Sequence, residues 1–288
     1  MQDSQSTYTE VPSEHPLTGY VDNYWEIQNP NFGLGHPILP RGSLDLIFNL
    51  AGGPGYEKVL RPGSTNGRTD LQETTDWLKG YGVERQSISS VWLLGLHDRS
   101  VIVRTPFESS RGRVHLIAAR LRPIATQAIF GVPAHLLTNR VVNAEDVIGD
   151  DIHHVYSDLL SKHRLEERVK VLNNYLLTRI SSGSERLSPL AIKGAQLIEN
   201  SSGMMSVAAI CDTLGVSRKH MAFVCKEYLG MTPKRYLRLA RYRAASEFLS
   251  TNTDASFAEA AAMHGYVDQS HMVNEFSRFT GLTPSQLY

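Results

Sequence analysis

The chain has 288 residues, 41% of them hydrophobic, and its 29 Lys and Arg balance 29 Asp and Glu. That length is enough for two domains with cores of their own, and a formal net charge of zero excludes a polycation that would bind nucleic acid over its whole surface. Two cysteines, Cys211 and Cys225, exclude a disulfide framework and point to a reducing compartment; a polar N-terminus and the lack of any apolar run of membrane-spanning length give the expectation of a cytoplasmic protein with no membrane partner.

Residues 1–16 read as a flexible tail. From 17 to about 121 the pattern is strand-like: 43–50 mixes alternation with an apolar run, and 90–96 and 114–121 read as buried or half-buried strands. Turn signals fall at Asn29-Pro30, Gly52-Gly53-Pro54-Gly55 and Arg111-Gly112. The stretch 61–87, rich in Gly, Thr and polar residues, reads as a loop around one or two poor strands. After Pro123 the period moves toward 3.6, giving a short helix over 124–130 and longer ones over 144–162 and 165–180. In the last, Leu165, Val169, Leu172 and Leu176 share one face, a stripe that packs on its own domain or pairs with a second copy in a homodimer.

Residues 17–180 are therefore expected to form a β-rich regulatory domain with trailing helices. Within it Trp25, Arg41, Asp45, Trp92, His97 and Arg120 are the candidate pocket for a small-molecule effector, because an aromatic wall with a few polar groups suits such a site. The alternative is that the tryptophans are core and Arg41–Asp45 is a local ion pair. No H-x-H pattern with downstream Glu and His surrounds His36. The adjacent His153-His154 cannot face one ion in the i, i+4 manner, and no nucleophile or phosphate-loop motif occurs. Neither a metal, a cofactor nor an enzyme activity is expected.

Residues 181–188 read as a linker and 189–288 as all-helical. In the latter a pattern occurs twice: His220-Met221 with Gly230-Met231-Thr232-Pro233, then His271-Met272 with Gly281-Leu282-Thr283-Pro284. Each copy follows a short apolar helix and a turn glycine, Gly215 or Gly265. Ser206 and Ser217 cap the helices of the first copy. Ser256, in an S-x-x-E capping box with Glu259, and Asp268 cap those of the second. Thr232 and Thr283 each stand before a helix-starting proline. A duplicated helix-turn-helix unit places two reading helices on double-stranded DNA. A helix from Pro233 to Leu249, with Leu237, Ala240, Ala244 and Phe248 on one face, would hold them at fixed spacing. Arg218, Lys219, Lys226, Lys234, Arg235, Arg238, Arg241 and Arg243 meet only Glu227 between 217 and 243, the footprint of a polyanion partner.

On these residues the stretch from 190 to 288 resembles the AraC/XylS DNA-binding domain. The resemblance covers both helix-turn-helix units, the turn one residue longer in the second (Gly265-Tyr266-Val267-Asp268 against Gly215-Val216-Ser217) and the terminal G-x-T-P. It implies seven helices, a linker helix between two reading helices, and transcription regulation at promoter DNA with RNA polymerase as a further partner. It implies base-reading roles for Arg218, Lys219, Ala222 and Phe223, and for Gln269, Ser270, His271, Val273 and Asn274. Lys219 can donate to guanine, Gln269 or Asn274 can pair bidentately with adenine, and Ala222 and Phe223 can pack on thymine methyls, although an aromatic at helical spacing is as often core. His220 and His271 each stand beside an apolar core residue. Ser217, Lys226, Arg238 and Arg278 take the phosphate-contact roles, which position without specifying. The chain departs from the family in Phe276-Ser277, where Phe-Lys is usual, in Cys225, where an aromatic is usual, and in lacking the usual arginine after the last G-x-T-P. Residues 17–25, 39–48 and 121–131 resemble the N-terminal regulatory domain of one group of these regulators.

The expected fold class is thus α+β, a β-rich N-terminal domain followed by an all-α C-terminal one. Control by a protein partner instead of a small molecule is a competing reading. So is an enzyme with an appended DNA-binding domain, which needs a reactive or zinc-bound cysteine cluster.

Overall fold

Alternation of side chains between two buried faces builds the N-terminal half. The computed structural model describes residues 7–29, 37–51, 55–62, 81–102, 114–182 and 188–288. Its strands are β1 (Thr7–Pro12), β2 (Val21–Asn29), β3 (Pro37–Ile38), β4 (Leu44–Asn49), β5 (Gly55–Pro62), β6 (Tyr81–Ile88), β7 (Val91–Leu94), β8 (Val101–Ile102), β9 (Val114–Leu121) and β10 (Val141–Asn143). Six form an antiparallel sheet in the order β1-β2-β9-β4-β7-β10, while β3 pairs with β8 and β5 with β6. Tyr24, Leu44, Leu46, Phe48, Leu93, Ile117 and Ala119 belong to the large core shared with the helices, and their neighbours Trp25, Ile47, Trp92, Leu94 and Ala118 form a second cluster on the opposite face. With both faces covered, β4 is buried at all six positions, which is why it reads as an apolar run and not as clean alternation.

The expectation of a tail is corrected from Thr7 onward. Residues 7–12 add an edge strand to β2, held by Glu10, which accepts from Asn23 Nδ2 and Arg120 Nη1, each at 3.1 Å. Residues 1–6, the turn signals at 30, 52–54 and 111–112, and the polar stretch 63–80 lie outside the described residues. β10 was not expected; three residues are too few to show a period.

Helices α1 (Thr126–Phe130), α2 (Glu145–Ile148), α3 (Ile152–Ser161) and α4 (Leu165–Ser182) follow the sheet, and the expected helix over 144–162 is in fact two. The stripe on α4 is also corrected as a dimer seam. Val169, Leu172 and Leu176 are buried in the chain's own core and Leu165 packs against it, each fully buried leucine contributing about 1.5–3 kcal/mol. Two polar contacts fasten α4 to β2: Arg168 pairs with Glu26, both buried, and the Tyr24 hydroxyl donates to Asn173 Oδ1.

Of the expected linker, 181–182 close α4, 183–187 lie outside the described residues, and Ser188 caps α5 (Pro189–Asn200). The all-α half continues with α6 (Val207–Leu214), α7 (Arg218–Leu229), α8 (Pro233–Thr251), α9 (Phe257–Met263), α10 (Gln269–Thr280) and α11 (Pro284–Leu287). The two halves dock. Ser100 N donates to Phe279 O at 2.8 Å, Thr138 Oγ1 to Gly230 O at 2.7 Å and Gln127 Nε2 to Glu227 Oε1 at 3.0 Å, and the buried Asp98 pairs with Arg235. Among the described residues no helix is long and apolar enough to cross a membrane.

Candidate nucleic-acid interface

Helix ends set the two helix-turn-helix units. Ser206 and Ser217 accept from Ala209 N and His220 N, and Ser256 and Asp268 from Glu259 N and His271 N. These satisfy donors that a helix start leaves open. The capping boxes differ from expectation. At Ser256 only the serine half is made, whereas Thr283 makes the full reciprocal pair with Gln286, and Thr232 makes no side-chain cap. Gly215 turns α6 into α7 with φ of 65°.

On α7 the inner face is Met221, Val224, Cys225 and Leu229, all buried, while Arg218, Lys219, His220, Phe223 and Lys226 are exposed and Ala222 is half-buried. Phe223 is 59% exposed, so it is a surface aromatic and not core. On α10 the inner face is Met272, Glu275, Phe276 and Phe279. Gln269, Ser270, Asn274 and Arg278 are exposed and His271 and Val273 half-buried. His271 accepts from Val267 N at 3.4 Å and meets the Tyr266 ring edge-on at 5.4 Å, whereas His220 is exposed. Sequence reading missed Val267, 86% exposed at the tip of the second turn. An apolar residue beside a polar cap was the available signal. The Cys225 thiol is pushed up to about 12 by burial and Cys211 is buried with it. For Cys225 that shift runs away from the thiolate form that the enzyme reading needs.

The 19-residue helix α8 lies between the units and touches both. Tyr242 is fully buried, with ring centres 4.9 Å from Phe276 and 5.0 Å from Phe279. Arg238, expected at phosphate, is instead turned inward. Its Nε donates to Glu275 Oε1 at 2.8 Å and its guanidinium lies over Phe279; a buried carboxylate on α10 needs a cation, and Arg238 supplies it. Arg241 reaches both units, donating to Gly203 O at 2.9 Å ahead of α6 and to Gly265 O at 3.3 Å in the second turn, with Tyr266 beneath it at 5.7 Å. Gly203 lies directly against α8: a Cβ there would stand 2.1 Å from Leu237 O. No motif marked Arg241 out from its basic neighbours.

Of the residues expected to line an effector pocket, the structure brings some together. Trp25 Nε1 and Arg120 Nε both donate to Asp45 Oδ1 at 3.1 Å, and Trp92 belongs to the same face of the sheet. Burial raises the Asp45 carboxyl above its ordinary range against the pull of Arg120. The Trp92 indole N–H is buried without a hydrogen-bond partner among the described residues. The local pair Arg41–Asp45 is corrected: Asp45 answers Arg120, and Arg41 stands 3.9 Å from Glu10. His97 is buried, and its Nδ1 meets Gly95 O at 2.6 Å. A separate cavity of about 430 Å³ opens between the halves, with Arg41, Arg122 and Ile124 on one wall and Ile192, Gln196 and Tyr236 on the other. Arg122 is paired to Asp22 at 2.8 Å, and Glu199 accepts from Tyr236 at 3.0 Å and Arg243 at 3.1 Å. Among the described residues no three His, Cys, Asp or Glu side chains converge as metal ligands.

Residues 210–288 match a family described as a helix-turn-helix domain, and residues 9–143 match a domain of unknown function, DUF6597. No curated protein sequence matches the chain. Among solved structures, the C-terminal domain of AraT, a response regulator from Geobacillus stearothermophilus, is 27% identical over 35% of this chain and 85% of its own, with a TM-score of 0.33. Wild-type ToxT from Vibrio cholerae, solved with an unsaturated fatty acid bound, is 11% identical over 100% of this chain and 96% of its own, with a TM-score of 0.47. ToxT from Vibrio cholerae O395 bound to (E)-4-(8-methylnaphthalen-1-yl)but-3-enoic acid is 13% identical over 91% and 96%, with a TM-score of 0.46.

Proposed function

We propose that this chain, a member of the AraC/XylS family of DNA-binding transcription regulators, reads two successive major grooves of its promoter with α7 and α10 under the control of a small molecule bound by its N-terminal half. The observation that carries the reading is the pair of outward-facing reading helices on either side of one continuous helix, whose Arg241 donates to Gly203 O ahead of α6 and to Gly265 O in the second turn. Reading helices on one face of B-DNA must be held about 34 Å apart, and a braced linker supports fixed spacing where a flexible tether does not. Arg218, Lys219, Ala222 and Phe223 on one helix, and Gln269, Ser270, His271, Val273 and Asn274 on the other, are the base readers, with Ser217, Lys226 and Arg278 on phosphate. Both units reside in one monomer, so a homodimer adds half-sites without being needed to complete one. RNA polymerase is the partner through which promoter occupancy is read.

The cavity between the halves supports the small-molecule part. Its walls come from both, and its volume is within the range of small ligand sites. An occupant that prefers one docking geometry shifts the population of that geometry by its differential affinity. The tryptophan–Asp45–Arg120 face is the alternative seat.

Replacing Asn274 or Gln269 with Ala should relax base preference at particular positions, each costing about 1–3 kcal/mol against the preferred base. Lys226→Ala should weaken binding evenly and reduce the log–log salt slope by about 1. Binding of promoter variants across a salt series separates these outcomes, and uniform loss for all three would reject the assignment.

A further inference from the structure

A second cleft, of about 400 Å³, opens where the loop after β7 meets the DNA-binding half. Its lining includes Arg99, Lys234, Arg235, Arg238 and Arg278, with Phe279 beside them. Arg235 answers the buried Asp98 and Arg238 the buried Glu275. Arg99, Lys234 and Arg278 are exposed and form no ion pair among the described residues. Five cations against two carboxylates leave three positive charges uncompensated around one small volume. Like charges brought this close repel one another, and burial together with the Arg238 charge lowers the pKa of Arg235.

Such an excess needs an anion with several acceptor oxygens. A single carboxylate balances one cation. A phosphate offers about two negative charges and three strong acceptors, and the planar guanidinium fork matches its geometry. We propose that this cleft binds a phosphate-bearing group, held by Arg99 from the regulatory half and by Lys234, Arg235 and Arg278 from the DNA-binding half. Asp98 is the internal anion that holds Arg235 while the cleft is open to solvent. Because the cations come from both halves, phosphate in the cleft ties them together, and its occupancy is linked to their docking. The phosphate has two available sources, a free phosphorylated molecule and the DNA backbone beside α10.

The test uses the full chain in two arms. In the first, thermal unfolding is followed with inorganic pyrophosphate at constant ionic strength. At about 100 times Kd a rise in midpoint of roughly 5 °C is expected. It should vanish in the triple variant R99A/K234A/R278A, whose three side chains are exposed and leave no buried charge behind, and persist in R218A/K219A on the reading helix. In the second arm the salt dependence of promoter binding is compared for wild type and R99A/K234A, which keeps the phosphate contact assigned to Arg278. A free ligand leaves the slope unchanged, whereas the DNA backbone as source lowers it by about 0.9 per lost contact. A triple variant equal to wild type in the first arm, together with R99A/K234A equal to wild type in the second, overturns the proposal. The first arm contains no DNA, so its failure is distinct from any failure of the DNA-reading assignment.

Discussion

Arg241 is the residue on which the spacing of the two reading helices should depend. Its guanidinium donates to Gly203 O at 2.9 Å, in the turn that leads into the first unit, and to Gly265 O at 3.3 Å, in the turn of the second. Lysine keeps the charge and the stem but has no planar fork with which to hold two carbonyls in different directions. Arg241→Lys therefore loses at least one bond from a charged donor, worth about 1.5–3 kcal/mol. If that energy opposes misalignment of the units, the aligned population falls by up to roughly 10- to 150-fold at about 1.4 kcal/mol per decade. The assay is binding to a promoter fragment carrying both half-sites, to each half-site alone, and to fragments with one or two base pairs inserted between them. Wild type should lose affinity sharply on insertion. Arg241→Lys should bind the native fragment more weakly, bind single half-sites as wild type does, and tolerate the insertions better. An equal loss on half-sites and on the full site, or an unchanged response to spacing, would refute the brace.

Two stability experiments examine the surrounding framework. Gly203→Ala forces a side chain at φ of 71° with its Cβ 2.1 Å from Leu237 O and 2.7 Å from Arg241 N. Left-handed strain of about 1–2 kcal/mol and overpacking of about 1–3 kcal/mol should add. Gly215→Ala, at φ of 65° with open space around it, should cost only the strain, so equal midpoint losses for the two variants would contradict the packing argument. Glu26 concerns the regulatory half. It is buried with Arg168 and hydrogen-bonded to His115 at 3.0 Å, and although burial alone would raise its carboxyl, these partners hold it below the ordinary 4.5. A depressed carboxylate stabilises the fold above its unfolded pKa, and that stability is lost as pH falls through the lower, folded value. Glu26→Gln should cost about 3–5 kcal/mol at pH 7, the range for breaking a buried pair, with the gap to wild type closing as pH falls below the ordinary 4.5. A gap that stays constant in denaturant melts from pH 7 to pH 3 would count against the pair.

The DNA-reading half was largely legible in the sequence because its determinants are local. Caps, turn glycines, helix-starting prolines and a 3.6-residue apolar period act within a few residues of themselves, and the duplication repeats them. Ser206, Ser217, Ser256 and Asp268 cap where they were expected to. Side-chain pairing within that half was not legible. Arg238, Arg241 and Arg243 look alike in a basic stripe, yet one neutralises Glu275, one bridges two carbonyls and one pairs with Glu199. Only the packing of α8 against its neighbours decides among them.

In the N-terminal half the strands from 43 to 50 and from 114 to 121 were readable from their apolar runs. The edge strand at Thr7 was not, because an exposed edge carries no hydrophobic signal. The stripe on α4 fitted a partner helix and an own-domain core equally well, since apolar periodicity reports that a face is covered and not by what. Both clefts lie between halves far apart in the chain. Residues such as Arg99 and Arg278, or Arg122 and Tyr236, share a volume only after docking, a long-range geometry that no local pattern encodes. Local signals were enough to place two helix-turn-helix units in the chain, because each is built from caps and turns a few residues apart. The tertiary structure decided how the two are held relative to each other, and where another molecule has room to act on that arrangement.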